Sequence, residues 1–373
     1  MYNGVVRTCV PGQGPARAVA FEEGDSEKQG RIVAVGGDEV LSAYGFGAEK
    51  IDLAGRLLLP GFIDSHMHLV LTGHSEGQLK LAGAKSVAEL VARGKSYVEK
   101  RTAEGEWAEG EWVEGNGFDQ NEFDVPVLPD RATVDAISRE RPVLLTRSCY
   151  HVAAVNSALL AKLDPSAECP GVERDEHGEF TGVVRETGIA LLRPFRPAPS
   201  RREVERRILS ASRNMVRAGL TSVQSHDMGE GDEKTHVLSA FRDLARSGRL
   251  PLRVYEGSSP RGLQHLRQFL FCDEWKDPHP FFKLGFVKMV TDGSLGARSA
   301  YLREPYSDAP ETRGWSAYTQ EELEACVFEA HRAGRQLAIH AIGDAALEQV
   351  LLAMEKLPDT RGRRHRIVHM MTG

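Results

Sequence analysis

A chain of 373 residues has room for one large barrel-type domain or for a few smaller ones. With 41% hydrophobic and 27% charged residues and a formal net charge of −6, it has the composition of an ordinary globular protein, and the mild acidic excess argues against nucleic acid or an anionic membrane as a partner. The cysteines (Cys9, Cys149, Cys169, Cys272, Cys326) show no C-x-x-C spacing, no run of about 18 apolar residues occurs, and "MYNGVVRTCV" lacks a charged-then-apolar leader, so a cytoplasmic protein with reduced thiols is expected.

Residues 1–59 alternate apolar and polar positions in "ARAVAFEEG", "GRIVAVGG" and "EKIDLAGRLLLPG" between Gly-rich breaks. That pattern predicts an antiparallel β module too small for a large core of its own. It leads into "LLLPGFIDSHMHLVL", a continuous apolar strand of the kind buried on both faces in parallel sheets. His66 and His68 end that strand. Residues two apart on a strand point to one side, so both imidazoles converge, either on a divalent cation such as zinc or as a pair satisfied by neighbours.

Residues 74 to about 200 are less regular and read as an insertion decorating a core. "SVAELVARGKSYVEKR" opens on a capping box, Ser86 with Glu89, and carries a helical apolar face at Val87, Leu90, Val91 and Val98. "RPVLLTRSCYHVAAVNSALLAKL" reads as strand, turn and helix, and "PGVERDEHGEFTGVVRE" as a hairpin around Asp175 to Gly178. In the basic run at 193–207, Ser200 and Glu203 form a second capping box, which leaves the arginines on a solvated helix face.

From about residue 200 helices and strands alternate. Helices at 201–218, 232–247, 320–333 and 345–356 are interleaved with "GLTSVQSHD", "LPLRVYEG", "KLGFVKMVTDG", "RQLAIHAIGD" and "HRIVHMMTG". Such alternation indicates βα units on a parallel sheet, either barrel or doubly wound. No G-x-G-x-x-G follows a strand, which disfavours a dinucleotide site. In a barrel, functional residues gather where strands end. Lys288, His340 and His369 are lone polar residues in apolar strands, and lysine is almost never fully buried without a partner. A buried lysine near other cations has a depressed pKa and a nucleophilic neutral amine. Reaction with carbon dioxide would make it a carbamate, an anionic bridge between two metal ions roughly 3.5–4 Å apart whose sites the histidines complete. Such ions bring the pKa of water toward about 7 and polarise a substrate carbonyl.

The motifs "GRIVAVG", "IDLAGRLLLPGFIDSHMHL", "HVAAVNSALL", "FTGVVRE", "VKMVTDGSLGARSAYLREPY", "LAIHAIGDAALEQVL" and "RIVHM" occur in the order found in the YtcJ-like (amidohydrolase 3) branch of the amidohydrolase superfamily, which the chain resembles through nearly its whole length. The resemblance implies an α/β fold, a (β/α)₈ metal-dependent hydrolase barrel over 60–373, with residues 1–59 as part of a composite β-sandwich drawn from both chain ends. It implies metal ligation by His66, His68, Lys288, His340 and His369, one or two divalent ions, and an N-acyl, N-formyl or cyclic amide as the small-molecule substrate. Two departures follow. Val368 stands where the branch has an acidic residue, and the branch's eighth-strand aspartate, which binds metal and moves the proton, has no counterpart before Gly373. The barrel is therefore expected to be C-terminally incomplete and the catalyst impaired, a fragment of a longer product or a chain completed by a second copy.

Other residues have open roles. His151 either contacts substrate or is a polar loop residue, and Asp292 either binds substrate or orders a Gly-rich turn. Asp344 is expected as a helix N-cap and Glu186 as a structural residue. A ring deaminase of the same superfamily and a non-catalytic barrel are the competing readings. The superfamily's deaminases generally use one metal and lack the bridging lysine.

Overall fold

The computed structural model describes residues 1–24, 30–105, 107, 110–148, 152–164, 171–185, 187–228, 232–260, 262–270, 278–296 and 298–372. They form two units, Met1–Gly73 with Val204–Gly373 and His74–Glu203. The first unit begins with β1 (Val5–Val6), β2 (Ala18–Glu22), β3 (Arg31–Gly36), α1 (Asp38–Tyr44), β4 (Leu57–Leu58), β5 (Phe62–Met67) and α2 (Leu69–Gly77), whose last turn crosses into the second. The alternating pattern yields an antiparallel hairpin, β2 with β3, pairing Ala18 with Gly36 and Glu22 with Arg31. The expectation of an all-antiparallel module needs correction, because β1 and β4 pair in parallel. Parallel neighbours need a long crossover, and the hairpin with α1 supplies it. In α1 the Glu39 carboxylate accepts the Gly37 amide at 2.7 Å and Val40 alone is buried.

The second unit contains β6 (Leu79–Lys80), α3 (Val87–Ala103), β7 (Val113–Phe118), α4 (Arg131–Asp135), β8 (Val143–Arg147), β9 (Val152–Val155), α5 (Ser157–Leu160), β10 (Val172–Arg174), β11 (Phe180–Arg185) and α6 (Thr187–Leu192). Its sheet runs β10-β11-β9-β8-β7-β6, parallel at the β6 end and antiparallel from β8 onward. The Ser86 hydroxyl accepts the Glu89 amide at 3.1 Å, so the capping box starts α3 where the sequence places it. Leu90 on that helix is buried with Leu79, Leu81, Val113, Phe118 and Leu145. Asp175 closes the β10–β11 hairpin by accepting the amides of His177 and Glu179.

The chain returns to the first unit through α7 (Arg201–Arg217), β12 (Leu220–Met228), α8 (Asp232–Arg246), β13 (Arg253–Ser258), α9 (Gly262–Leu270), β14 (Phe282–Val290), α10 (Gln320–Arg332), β15 (Gln336–Ala341), α11 (Asp344–Glu355) and β16 (Arg366–His369). β5 and β12 to β16 form one parallel six-stranded sheet in the order β5-β12-β13-β14-β15-β16. α9, between β13 and β14, has no counterpart in the sequence reading. Val223, Val254, Val287, Met289, Leu337 and Ile339 belong to one buried cluster with Phe241, Leu244, Leu266, Val327 and Val350 of the helices. Each such side chain stabilises the fold by about 1.5–3 kcal/mol through apolar burial. Gly73 lets α2 close on α7, since a Cβ there would collide with the backbone of Arg207.

Residues alternating with these core positions face the other way, and the sheet curls around them. Arg366 of β16 donates from Nη1 to the Ser65 carbonyl of β5 at 3.0 Å and also bonds Gln224 of β12. The first and last strands therefore approach each other on the concave side. No helix among the described residues is long and apolar enough to cross a membrane.

Candidate active site

His66 lies in β5 and His68 just past its end, and their ring centroids lie 5.9 Å apart. His369 at the end of β16 stands 4.8 Å from His66 and 4.7 Å from His340 of β15. These rings thus form a run across the gap between the sheet's ends. Alternation alone would send His369 toward the helices with Ile367, which packs on the core. Instead His369 has φ +77° and Met370 φ +43°. Two successive left-handed non-glycine residues cost on the order of 1–3 kcal/mol each, and this turn accompanies the placement of His369 beside the other imidazoles.

Lys288, on β14, is 4% exposed and makes no ion pair with any described residue. Burial, and then the charge of Arg366, lower its pKa from 10.5 to about 8. Burial, with the nearby Lys288 second, lowers His66 to about 4. Burial and then His340 and Lys288 lower His369. Lys288, His66 and His369 therefore share one electrostatic environment in which the neutral nitrogen is favoured.

The sequence reading passed over His226. This residue of β12 is 5% exposed, and its ring lies 4.2 Å from His66, 5.8 Å from His68 and 4.7 Å from Phe286. Burial and Lys288 hold its pKa down at about 2, and neither ring nitrogen has a hydrogen-bond partner among the described residues. Its backbone carbonyl lies 2.8 Å from His68 Nδ1. The available signal was its position near the end of a βα-type strand, but in "VQSHDM" it sits among polar neighbours and not as a lone polar residue. The end of β12 is held from β13 by Glu256, whose Oε1 accepts the amides of Asp227 at 2.7 Å and Met228 at 3.2 Å. Complete burial, with Asp227 adjacent, pushes the Glu256 carboxyl well above its usual range.

Asp292 is 1% exposed, and its carboxylate bonds backbone amides and His340; it orders its turn and has no surface open to a substrate. Asp344 is the first residue of α11 and Gly343 takes the N-cap position expected for it. The Asp344 carboxylate instead accepts the Arg303 amide at 3.0 Å. His151 and Glu186 lie outside the described residues.

Among the described residues no three His, Cys, Asp or Glu side chains stand as a preformed metal-binding group. The imidazoles are gathered but not closed around one point. By chemistry they fit a divalent cation: neutral imidazoles are preferred zinc ligands, and the His66 Nδ1 is buried with no hydrogen-bond partner among the described residues.

A parallel βα sheet curled around strand-end histidines and a buried lysine defines an α/β protein of the barrel class, with its site at the carboxyl ends of the strands. Within that class the chain belongs to the amidohydrolase family (Amidohydro_3), whose model matches residues 49–372. It is 32% identical over 331 residues to the putative amidohydrolase YtcJ of Bacillus subtilis, covering 86% of this chain and 60% of that protein. It is 26% identical to the N-substituted formamide deformylase of Arthrobacter pascens, covering 95% of this chain and 65% of that enzyme. A solved structure of an uncharacterized metal-dependent hydrolase from Pyrococcus furiosus matches with a TM-score of 0.75 and 31% identity, over 95% of this chain and 69% of that one. The chain spans 60% of the length of YtcJ and 65% of that of the formamide deformylase.

Proposed function

We propose that this chain carries the metal-binding site of a hydrolase acting on non-peptide carbon–nitrogen bonds, with an N-formyl, N-acyl or cyclic amide as substrate. The observation that carries the reading is the gathering of His66, His68, His340 and His369 with the buried Lys288 at the ends of parallel strands. The matches to a formamide deformylase and to a metal-dependent hydrolase support the bond type and the use of a metal. Fold likeness alone does not name a substrate.

His66, His68, His340 and His369 would hold one or two divalent ions, zinc foremost, with Lys288 as amine or carbamate. Carbamate formation joins Lys288 Nζ to carbon dioxide and releases a proton. Bound divalent cations polarise an amide carbonyl and lower the pKa of water toward neutrality. The chain's own residues prepare for this. Burial and Lys288 keep His66 neutral, so its lone pair is available near neutral pH. Burial and Arg366 bring Lys288 within reach of its neutral form, the only form that attacks carbon dioxide. The same reading treats the curled sheet as six strands of an eight-stranded barrel and the N-terminal strands as part of a β-sandwich.

The test is to measure zinc content and amine release from a panel of N-formyl and N-acyl amines, before and after chelation. Activity that disappears on chelation and returns with zinc is expected. So is loss of both zinc and turnover in a His66→Ala, His68→Ala double variant. Unchanged turnover in the stripped protein would overturn the proposal.

A further inference from the structure

Asp292 lies in the turn that follows β14, and its carboxylate is held from several directions. Oδ2 accepts the amides of Tyr301 at 3.0 Å and Gly343 at 2.8 Å, and Oδ1 accepts that of Ile342 at 3.0 Å. These donors come from two separate segments, so the carboxylate cannot rotate away without losing them. The packing is close: a Cβ on Gly343 would collide with the backbone of Tyr301. Oδ1 also lies 3.1 Å from His340 Nε2, and the Gly293 carbonyl lies 3.0 Å from the same nitrogen. Both oxygens are acceptors, so Nε2 must carry the proton, and in the neutral ring Nδ1 then holds the lone pair. His68 is set the other way, because its Nδ1 faces the His226 carbonyl at 2.8 Å.

We propose that Asp292 is a positioning residue which, with the Gly293 carbonyl, fixes His340 as the Nε2–H tautomer and makes Nδ1 the atom that meets a cation. This rests on the reading of His340 as a ligand and assigns the residue that orients it. Carboxylates that accept the second N–H of a ligating histidine set both its tautomer and its basicity. Asparagine at 292 would keep one acceptor oxygen and place an NH₂ where the other stood. Facing His340, that NH₂ makes Nε2 an acceptor and drives the proton onto Nδ1, where it blocks the ligating lone pair. Facing the amides, it opposes donor to donor.

The experiment uses the full chain, stripped of metal and labelled with ¹⁵N-histidine, read by long-range proton–nitrogen correlation, with zinc affinity measured in parallel. In the unsubstituted protein His340 should show a protonated Nε2 and a bare Nδ1, and His68 the reverse. Asp292→Asn should move the His340 proton toward Nδ1, leave His68 unchanged as an internal control, and weaken zinc binding by about 10–100-fold. A His340 already protonated on Nδ1 in the unsubstituted protein would overturn the proposal, and that measurement stands even if the variant does not fold. A folded variant that keeps both the tautomer and the zinc affinity would also overturn it. A switched tautomer with unchanged zinc affinity would support the role of Asp292 in orienting His340 and refute His340 as a ligand.

Discussion

Lys288 and His226 are both buried, with opposite chemical problems. The lysine carries a charge that burial opposes, and the histidine carries two polar nitrogens with no partner among the described residues. Lys288→Ala in the full chain should abolish most zinc binding, and formate or acetate should restore part of it, because a small carboxylate can replace a carbamate. Zinc per chain is the readout, and unchanged stoichiometry would remove Lys288 from the site. For His226, an unsatisfied buried polar group costs about 1–3 kcal/mol. His226→Phe keeps an aromatic ring against His66 and Phe286, so it should raise the stability of the metal-free chain by about 1 kcal/mol in urea denaturation. A loss of that size would show that the ring nitrogens are hydrogen-bonded in solution.

Between elements, helix caps and one histidine pair hold α10 against the sheet. The Thr319 hydroxyl accepts the Glu322 amide at 3.2 Å while the Glu322 carboxylate accepts the Thr319 amide at 2.9 Å. Thr319→Ala should therefore cost about 1 kcal/mol of stability by chemical denaturation. His331 Nδ1 of α10 lies 2.9 Å from His365 Nε2, and His365 Nδ1 accepts the Leu337 amide of β15 at 3.0 Å. Protonating that Nδ1 would break the hydrogen bond it accepts from the Leu337 amide. Burial, and then His331 and Arg363, lower the His365 pKa from 6.5 to about 4. Between those values the unfolded chain binds the proton and the folded chain does not, so the contribution is complete above about 6.5 and is lost as the pH falls toward 4. The urea midpoint should drop across that window, and His365→Gln should flatten the drop. An unchanged slope in the variant would show that His365 does not drive it.

Across the whole molecule, exposed apolar side chains are concentrated in the N-terminal strands and β5. Ile32 is 71% exposed, Phe62 59% and Ile63 64%. β5 ends the six-stranded sheet, and among the described residues its outer edge is met by the Arg366 side chain and not by a paired strand. Exposed apolar residues beside an unpaired edge promote self-association. The chain expressed alone should therefore associate at micromolar concentration in light scattering, and Ile63→Lys should reduce this. A monodisperse monomer would show that this surface is compatible with water.

What the sequence determined by itself was periodic. The two-residue repeat aimed His66 and His68 to one side, the alternation of apolar strands with amphipathic helices gave the parallel sheet, and Ser86 with Glu89 marked the start of α3. Each of these signals lies within a few residues of its effect. What only the tertiary structure decided joins distant segments. Ser65 meets Arg366 across 301 positions, and Asp292 reaches Ile342 across 50. Hence the sequence placed Asp292 in a turn but not against His340, and it passed over His226, whose importance comes from facing His66. The left-handed turn at His369 is similarly invisible in "RIVHMM", because neither His nor Met favours that conformation. Short-range steric and hydrophobic preferences are written in neighbouring residues. The satisfaction of a buried polar group depends on which remote segment the folded chain brings beside it.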